Sequence, residues 1–238
     1  MGSRLMATSV GLLLVAAVAP STAAARPDGP AAHTVRISNL TIGQPFSPGI
    51  LVVQRPNFDL FKDGDSASYG LRVLAEDGNP NELIQRLRVH PGIARVMRIP
   101  LIGPGSSITR SVRIKARKRS KASSVSYVAM LLNTNDGFVG FNAVNSSPNS
   151  DTSVSTQARD AGTEENNEMF KFIPGPCCFD GGINDNVNLN LRAPTVLGKI
   201  GPHAGILGVA GGVAGSQLDP ALYGWNGASV ASLSITRN

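Results

Sequence analysis

The sequence is poor in charged and aromatic residues. Only 16% of its 238 residues are charged and 5% are aromatic, whereas about a quarter of the residues in a typical globular domain are charged. Coiled coils and long helical repeats need frequent charged residues at helical spacing, so the composition excludes both classes. Hydrophobic residues make up 42% of the chain, and 26 glycines and 16 prolines interrupt it. These values indicate a globular protein built from short strands and turns.

Cysteine is scarce as well. The only two cysteines, Cys177 and Cys178, are adjacent, and neighbouring Cα atoms are too close for an ordinary disulfide. They therefore cannot cross-link distant elements, so stability has to come from core packing or from a bound metal ion.

Apolar runs long enough to span a bilayer are absent. The run over 10–18 is too short, and the stretch over 204–215 is diluted by glycine, so we expect no transmembrane segment. Arg4 precedes the first run, and small residues including Ala23 and Ala25 follow it, which is typical of a secretory signal peptide. The sequence thus predicts a signal peptide over 1–25, a flexible leader over 26–33 and one domain over 34–238 in a secreted, extracellular protein.

Motifs of the familiar enzyme classes are also lacking. The three histidines, His33, His90 and His203, have neither metal-ligand nor triad spacing to one another or to a cysteine. The chain contains no nucleophile elbow, no phosphate-binding Walker loop and no dinucleotide fingerprint. We therefore expect no zinc site and no catalytic residues, and we predict that the protein is not an enzyme.

Alternating apolar and polar residues predict that most of the chain forms strands. In the first predicted strand, Val35 and Ile37 alternate with Arg36 and Ser38. Further strands are predicted over 50–54, 107–115, 124–132, 138–142, 154–158, 169–173 and 230–236, and helices over 69–76 and 81–89. Residues 175–227 fit regular elements poorly and are expected to form long loops. The pattern predicts an all-β fold, an antiparallel β-sandwich with one or two short helices.

A dense basic cluster follows the strand predicted over 107–115. It consists of Lys115, Arg117, Lys118, Arg119 and Lys121. Such a cluster is able to bind a polyanion, but it contains no aromatic residues on which nucleic-acid bases could stack, so no nucleic-acid partner is expected. The alternative is a solvated hairpin that protects a sheet edge.

Acidic and amide residues follow two of the predicted strands. Asn133, Asn135 and Asp136 come after one strand, and Asp160 and Glu164 come after another, with glycines beside both groups. Clusters that offer only oxygen ligands select calcium or magnesium. Because the same residue types are ordinary turn formers, spacing alone leaves both interpretations open.

The same segments resemble the spondin N-terminal domain, also called the F-spondin domain. The stretch over 130–140, MLLNTNDGFVG, and the later stretch over 160–164, DAGTE, are similar to the paired signature of this family. The opening over 35–41, the segment 44–48, Trp225 and the closing strand over 230–235 also resemble exported bacterial-type members. The resemblance extends over about residues 34–237.

This resemblance implies a C2-like antiparallel β-sandwich that binds calcium at one loop end. Family members are extracellular proteins of adhesion and matrix binding and are not known as enzymes. By resemblance, the metal-ligand roles fall on Asp136, Asp160 and Glu164. The sequence departs from the family at Gly137, where an aromatic residue is common, at Glu164, where aspartate is usual, and in lacking the cysteines of animal members.

The combined prediction is a secreted, non-enzymatic calcium-binding module for cell adhesion, extracellular-matrix binding or surface assembly. Its expected partner is an extracellular protein, a glycan surface or further copies of the chain. Two alternatives remain open. One is a calcium-dependent extracellular hydrolase, and the other is a polyanion-binding module that uses the cluster at 115–121.

Overall fold

Two antiparallel β-sheets pack face to face in the computed structural model, which describes residues 31–55, 58–114, 123–145, 151–178 and 191–238. The strands are β1 (Ala31–Asn39), β2 (Gly49–Gln54), β3 (Ile93–Ile99), β4 (Ser107–Ile114), β5 (Ser124–Met130), β6 (Gly137–Asn145), β7 (Thr152–Thr156), β8 (Ala158–Asp160), β9 (Gly201–Pro202) and β10 (Ala231–Arg237). The helices are α1 (Tyr69–Asp77), α2 (Asn81–Arg88) and α3 (Pro220–Tyr223), and short 3₁₀ turns lie at Phe170–Phe172, Pro176–Cys178 and Val209–Gly211.

One sheet has four strands in the order β4-β1-β10-β7, and the other has six in the order β3-β2-β5-β6-β8-β9. The first and last strands pair antiparallel along their length, from His33 opposite Arg237 to Asn39 opposite Ala231. This arrangement confirms the predicted all-β antiparallel sandwich with short helices and long loops.

The strand β2 is buried on both faces because two cores meet on it. Leu51 and Val53 point into the main core between the two sheets. Ile50 and Val52 face a second core, which α1 and α2 close from the other side. A strand between two cores needs apolar residues at both parities, which explains the continuous apolar run in this segment.

Helix α1 has well-defined ends. Ser68 Oγ accepts a hydrogen bond from Leu71 N at 3.3 Å at the start of the helix. Gly78 ends it in the left-handed conformation at φ 63°, with its N–H donated to Leu74 O at 3.0 Å. A serine cap and a glycine stop are common helix boundaries, and the predicted helices over 69–76 and 81–89 are both confirmed.

Several predicted strands differ from the observed elements. The segment 154–158 divides into β7 and β8, which belong to different sheets, because the chain crosses between sheets at Gln157. The strand predicted over 169–173 is wrong. Its backbone is folded locally, with Phe172 N bonded to Met169 O at 3.0 Å and Ile173 N to Phe170 O at 3.1 Å, so it forms a 3₁₀ turn.

Strand β3 and the early start of strand β1 were not predicted from the sequence. Strand β3 is an edge strand in which Arg95 and Arg98 interrupt the apolar alternation, so its sequence lacks a clear period of two. Strand β1 begins at Ala31, three residues before the start predicted for the domain, and His33 within it is buried. The cleavage site after residue 25 stays a prediction, since it lies outside the described residues.

Cys177 is disulfide bonded, and no described cysteine is free. The sequence predicted that these adjacent cysteines cannot cross-link distant elements, and stability from core packing or a bound metal ion stays a prediction.

Among the residues that the structure describes, none of the helices has the length and apolar character needed to cross a membrane.

We predict that Leu233→Ala will lower the free energy of unfolding by about 2–5 kcal/mol, because Leu233 is fully buried between the sheets and its truncation leaves a cavity. Urea denaturation followed by tryptophan fluorescence measures the change. Ser234→Ala on the opposite face of the same strand is the control, with an expected change within about 0.5 kcal/mol. Equal effects from the two variants would contradict the assignment of the core face.

Candidate metal centre

Two loops that meet at one end of the six-stranded sheet carry the predicted metal ligands. The first loop, 131–136, joins β5 to β6, and the second, 161–165, follows β8. In the ladder between β6 and β8, Gly137 pairs with Asp160. Directly beyond this pair, Ala161 N donates to Asp136 O at 3.2 Å. The strand register therefore brings the two loops side by side.

The carboxylate of Asp136 is buried, and only one of its oxygens has protein partners. Oδ2 accepts hydrogen bonds from Thr163 N at 2.7 Å, from Thr163 Oγ1 at 3.1 Å and from Glu164 N at 3.0 Å. Oδ1 is buried without any partner. Burial, helped by the negative charge of Asp160, raises the pKa of Asp136 to about 6 despite these hydrogen bonds.

Glu164 is the second buried acid of the site. Only 2% of the residue is exposed to solvent, and its Oε1 has no hydrogen-bond partner. Burial raises the pKa of Glu164 to about 9, with further increases from the charges of Glu76 and Asp136. The negative charge of Asp136 thus acts on the pKa of Glu164. Each of the two side chains has one buried oxygen without a hydrogen-bond partner, which is rare in folded proteins.

Asp160 lies near Asp136, but its side chain bonds within its own loop. Its Oδ1 accepts from Gly162 N at 2.5 Å, and its Oδ2 accepts from the side-chain amide of Asn166. Over the described ranges of the chain, no group of three acidic, histidine or cysteine side chains converges closely enough to hold an ion.

A further acid, Glu76, was not predicted from the sequence as part of this site. Its side chain is fully buried and forms ion pairs with Arg72 at 2.7 Å and with Arg192. Arg192 also pairs with Asp77. Glu76 occupies a buried position late in α1, and an acid on the apolar side of a helix is the signal that could have revealed it.

The segment 194–198 covers the second loop and is called the covering segment below. It lies along residues 162–165 through backbone hydrogen bonds. Glu165 N donates to Pro194 O at 2.9 Å, Val196 N to Thr163 O at 3.1 Å and Gly198 N to Gly162 O at 2.9 Å. Arg192, two residues before this segment, links it to α1 through Glu76 and Asp77. The covering segment therefore shields the loop that carries Glu164.

His203 lies near Asp160, and burial lowers the pKa of this histidine. Its Nδ1 accepts a hydrogen bond from Gly205 N at 3.0 Å, and its ring centre lies 5.2 Å from that of Trp225. This environment favours packing over metal ligation through Nδ1.

The predicted basic cluster of Lys115, Arg117, Lys118, Arg119 and Lys121 lies outside the described residues. The polyanion-binding interpretation of that cluster therefore stays a prediction.

The protein is thus a β-sandwich with two acidic loops at one end of its six-stranded sheet. The Spondin_N family model matches residues 39–169, more than half of the chain, and spans both acidic loops. The chain belongs to this family. Trp225 and β10, which also carried the resemblance in the sequence, lie beyond the matched range. No curated protein matches the chain.

We predict that in chelator the protein loses stability as the pH rises between about 5 and 9. The raised pKa of Glu164 means that its stabilising contribution is complete below the unfolded value of 4.5 and is lost as the pH rises through about 9. Besides burial, this pKa is raised by the negative charges of Glu76, Asp136 and Asp77 and lowered by the positive charge of Arg192. Thermal melts at each pH measure the effect.

The variant Glu164→Gln is expected to have a flatter pH profile, because it carries no charge at any pH. Glu165→Gln, at an exposed neighbouring position, should keep the wild-type slope. A wild-type profile that rises over this range would contradict the assigned direction.

We further predict that Gly162→Ala destabilises the protein more than Gly64→Ala. Both glycines have positive φ, 69° and 88° respectively, but a Cβ at Gly162 would lie 2.8 Å from the carbonyl carbon of Gly198 in the covering segment and 2.6 Å from Lys199 N, whereas one at Gly64 meets nothing within 4 Å. Gly64→Ala therefore measures the conformational cost alone, about 1–2 kcal/mol. Urea denaturation compares the two variants. Equal losses would mean that the covering segment moves freely away from the loop.

Proposed function

We propose that the protein is a secreted, non-enzymatic module that binds calcium and presents a surface for adhesion, extracellular-matrix binding or assembly. The observation that carries this proposal is the pair of buried oxygens, Asp136 Oδ1 and Glu164 Oε1, that have no partner in the protein. Both belong to acidic side chains on adjoining loops.

The donor set fits a calcium ion. Burying two carboxyl groups with unpaired oxygens costs free energy unless they are protonated or a cation neutralises them. Calcium prefers carboxylate and carbonyl oxygens and tolerates irregular geometry, so these oxygens suit it. The raised pKa values of Asp136 and Glu164 are what two ligands without their countercharge would have.

Asp136, Asp160 and Glu164 would hold the ion in this proposal. Bound calcium would supply positive charge among three acids and would link the loop before β6 to the loop after β8. Asp160 would give up its bond to the Asn166 amide or share an oxygen, since both of its oxygens have partners. Glu164 differs from the usual aspartate by one methylene, which still permits coordination.

Family membership supports the extracellular and adhesive part of the proposal, since spondin domains are typical of extracellular proteins. The calcium centre would act there as a structural clamp. By bringing the two loops and the covering segment to one arrangement, the ion would fix the surface at this end of the sandwich for a partner.

A calcium-dependent hydrolase is the competing proposal, because a carboxyl group with a pKa near 9 remains protonated at neutral pH and could act as a general acid. Incubation with polysaccharide and ester substrates tests it. Turnover that Glu164→Gln abolishes would favour the hydrolase over the adhesive module.

We predict that calcium stabilises the wild-type protein. At a hundredfold excess over its dissociation constant, an ion that binds only the folded state adds about 2.7 kcal/mol, which raises the melting temperature by several degrees relative to chelator. Titration calorimetry and paired thermal melts measure binding and stabilisation.

Asp160→Asn should remove the difference between the calcium and chelator melts. Asp65→Asn is the matched control, because Asp65 is exposed and its side chain makes no hydrogen bond or ion pair among the described residues. Absence of calorimetric binding together with superimposable wild-type melts would disprove the metal assignment.

A further inference from the structure

Two exposed arginines, Arg88 on α2 and Arg98 on β3, line a cleft between these two elements. Between described residues, no ion pair joins either of them to an acidic side chain. Their charge is therefore available to a ligand.

The topology explains why these two arginines lie together. Strand β3 is the edge of the six-stranded sheet. Helix α2 immediately precedes β3 and packs against it. Arg98 pairs in register with Ile50, whose side chain belongs to the core beneath the helices, so Arg98 lies on the helix-facing side of the sheet.

A cleft of about 180 Å³ lies between α2 and β3 on this edge. Ile84 and Val96 provide its apolar part and also pack into the core beneath the helices. The polar lining consists of two guanidinium groups and two side-chain amides, from Arg88, Arg98, Asn81 and Gln85. Arg98 Nη2 donates a hydrogen bond to Asn81 Oδ1, which orients this guanidinium at the cleft.

We infer that this cleft binds an acidic polysaccharide. Guanidinium groups pair with sulfate or carboxylate groups through parallel hydrogen bonds, and the amides of Asn81 and Gln85 match sugar hydroxyls as donors and acceptors. The cleft is smaller than the roughly 300–1,000 Å³ of a site that encloses a whole small molecule. It therefore suits one acidic unit of a longer chain that continues beyond the cleft.

Other polyanions fit the surface less well. Binding of single-stranded nucleic acid depends on aromatic side chains on which bases stack. Tyr69 is the exposed aromatic residue beside α2, and Arg86 already lies over its ring at 5.3 Å from the centroid. A bilayer surface is broad and flat, whereas the guanidinium and amide groups of this site line a concave cleft of about 180 Å³.

This inference does not depend on the calcium centre. The residues that line the cleft do not include Asp136, Asp160, Glu164 or any residue of the covering segment. It also concerns residues other than the basic cluster at 115–121, so variants at the cleft leave those five cations in place.

The test uses the full exported chain and fluorescently labelled fragments of heparin, which carries sulfate groups, and of hyaluronan, which carries only carboxylates. Neutral dextran is the uncharged probe. Wild-type protein is expected to bind at least one acidic fragment, with affinity that decreases as salt increases, and not to bind dextran. Titrations are repeated in chelator, where binding should persist even if the metal centre is empty or does not exist.

The double variant Arg88→Gln/Arg98→Gln is expected to lose affinity about tenfold or more, because hydrogen bonds to charged groups are stronger than neutral ones. Arg36→Gln/Lys62→Gln removes the same charge at exposed positions elsewhere and should change affinity less than about threefold. The single variant Arg88→Gln keeps the hydrogen bond between Arg98 and Asn81 and therefore disturbs the fold less. Its affinity for the acidic fragment is expected to decrease about threefold. Urea midpoints confirm that each variant is folded.

Three outcomes would overturn the inference. The first is failure of the wild type to bind either acidic fragment at physiological salt. The second is an equal loss of affinity in the cleft and control variants, which would mean that binding depends only on net charge. The third is tighter, cleft-dependent binding of single-stranded DNA or phosphatidylserine vesicles, which would assign the surface to a different partner.

Discussion

The hydrogen bonds accepted by Asp136 Oδ2 determine the shape of the candidate metal centre. They come from Thr163 and Glu164, so a side chain that precedes β6 holds the loop that follows β8. The covering segment then pairs with that same loop. This one oxygen adds side-chain bonds to the backbone bond from Ala161 N to Asp136 O, and so it holds the backbone of Glu164 beside the start of β6.

The buried acids differ in how many of their oxygens have hydrogen-bond partners. Glu168 uses both oxygens, which accept from Leu207 N, Gly208 N and Ser216 Oγ, and so it holds the glycine-rich loop in place. Asp136 and Glu164 are equally buried but each keeps an oxygen without a partner. A protein rarely leaves such groups unpaired without a reason, and a bound cation is one that fits their chemistry.

Charge is unevenly distributed over the molecule. The end of the sandwich with the candidate metal centre carries five carboxyl groups, those of Glu76, Asp77, Asp136, Asp160 and Glu164, and the guanidinium groups of Arg72 and Arg192. The cleft between α2 and β3 carries Arg88 and Arg98, which have no acidic partners among the described residues. Because screening limits the interaction between distant exposed charges, the proposed binding of a cation and of a polyanion would be independent.

Local sequence determined the strands whose residues alternate, such as β1 and β10, and the run in β2 that two cores bury. It also determined which acids follow β5 and β8, since oxygen-rich turns are visible in the order of residues. Only the tertiary structure decided that Gln157 divides one apolar segment between two sheets, that Phe170–Phe172 turns rather than extends, and that Glu76 and Arg192 join the acidic end. These outcomes depend on contacts between residues far apart in the chain, which for the turn include the bond from Phe170 N to Gln217 Oε1, and the short-range pattern of polar and apolar residues carries no record of them.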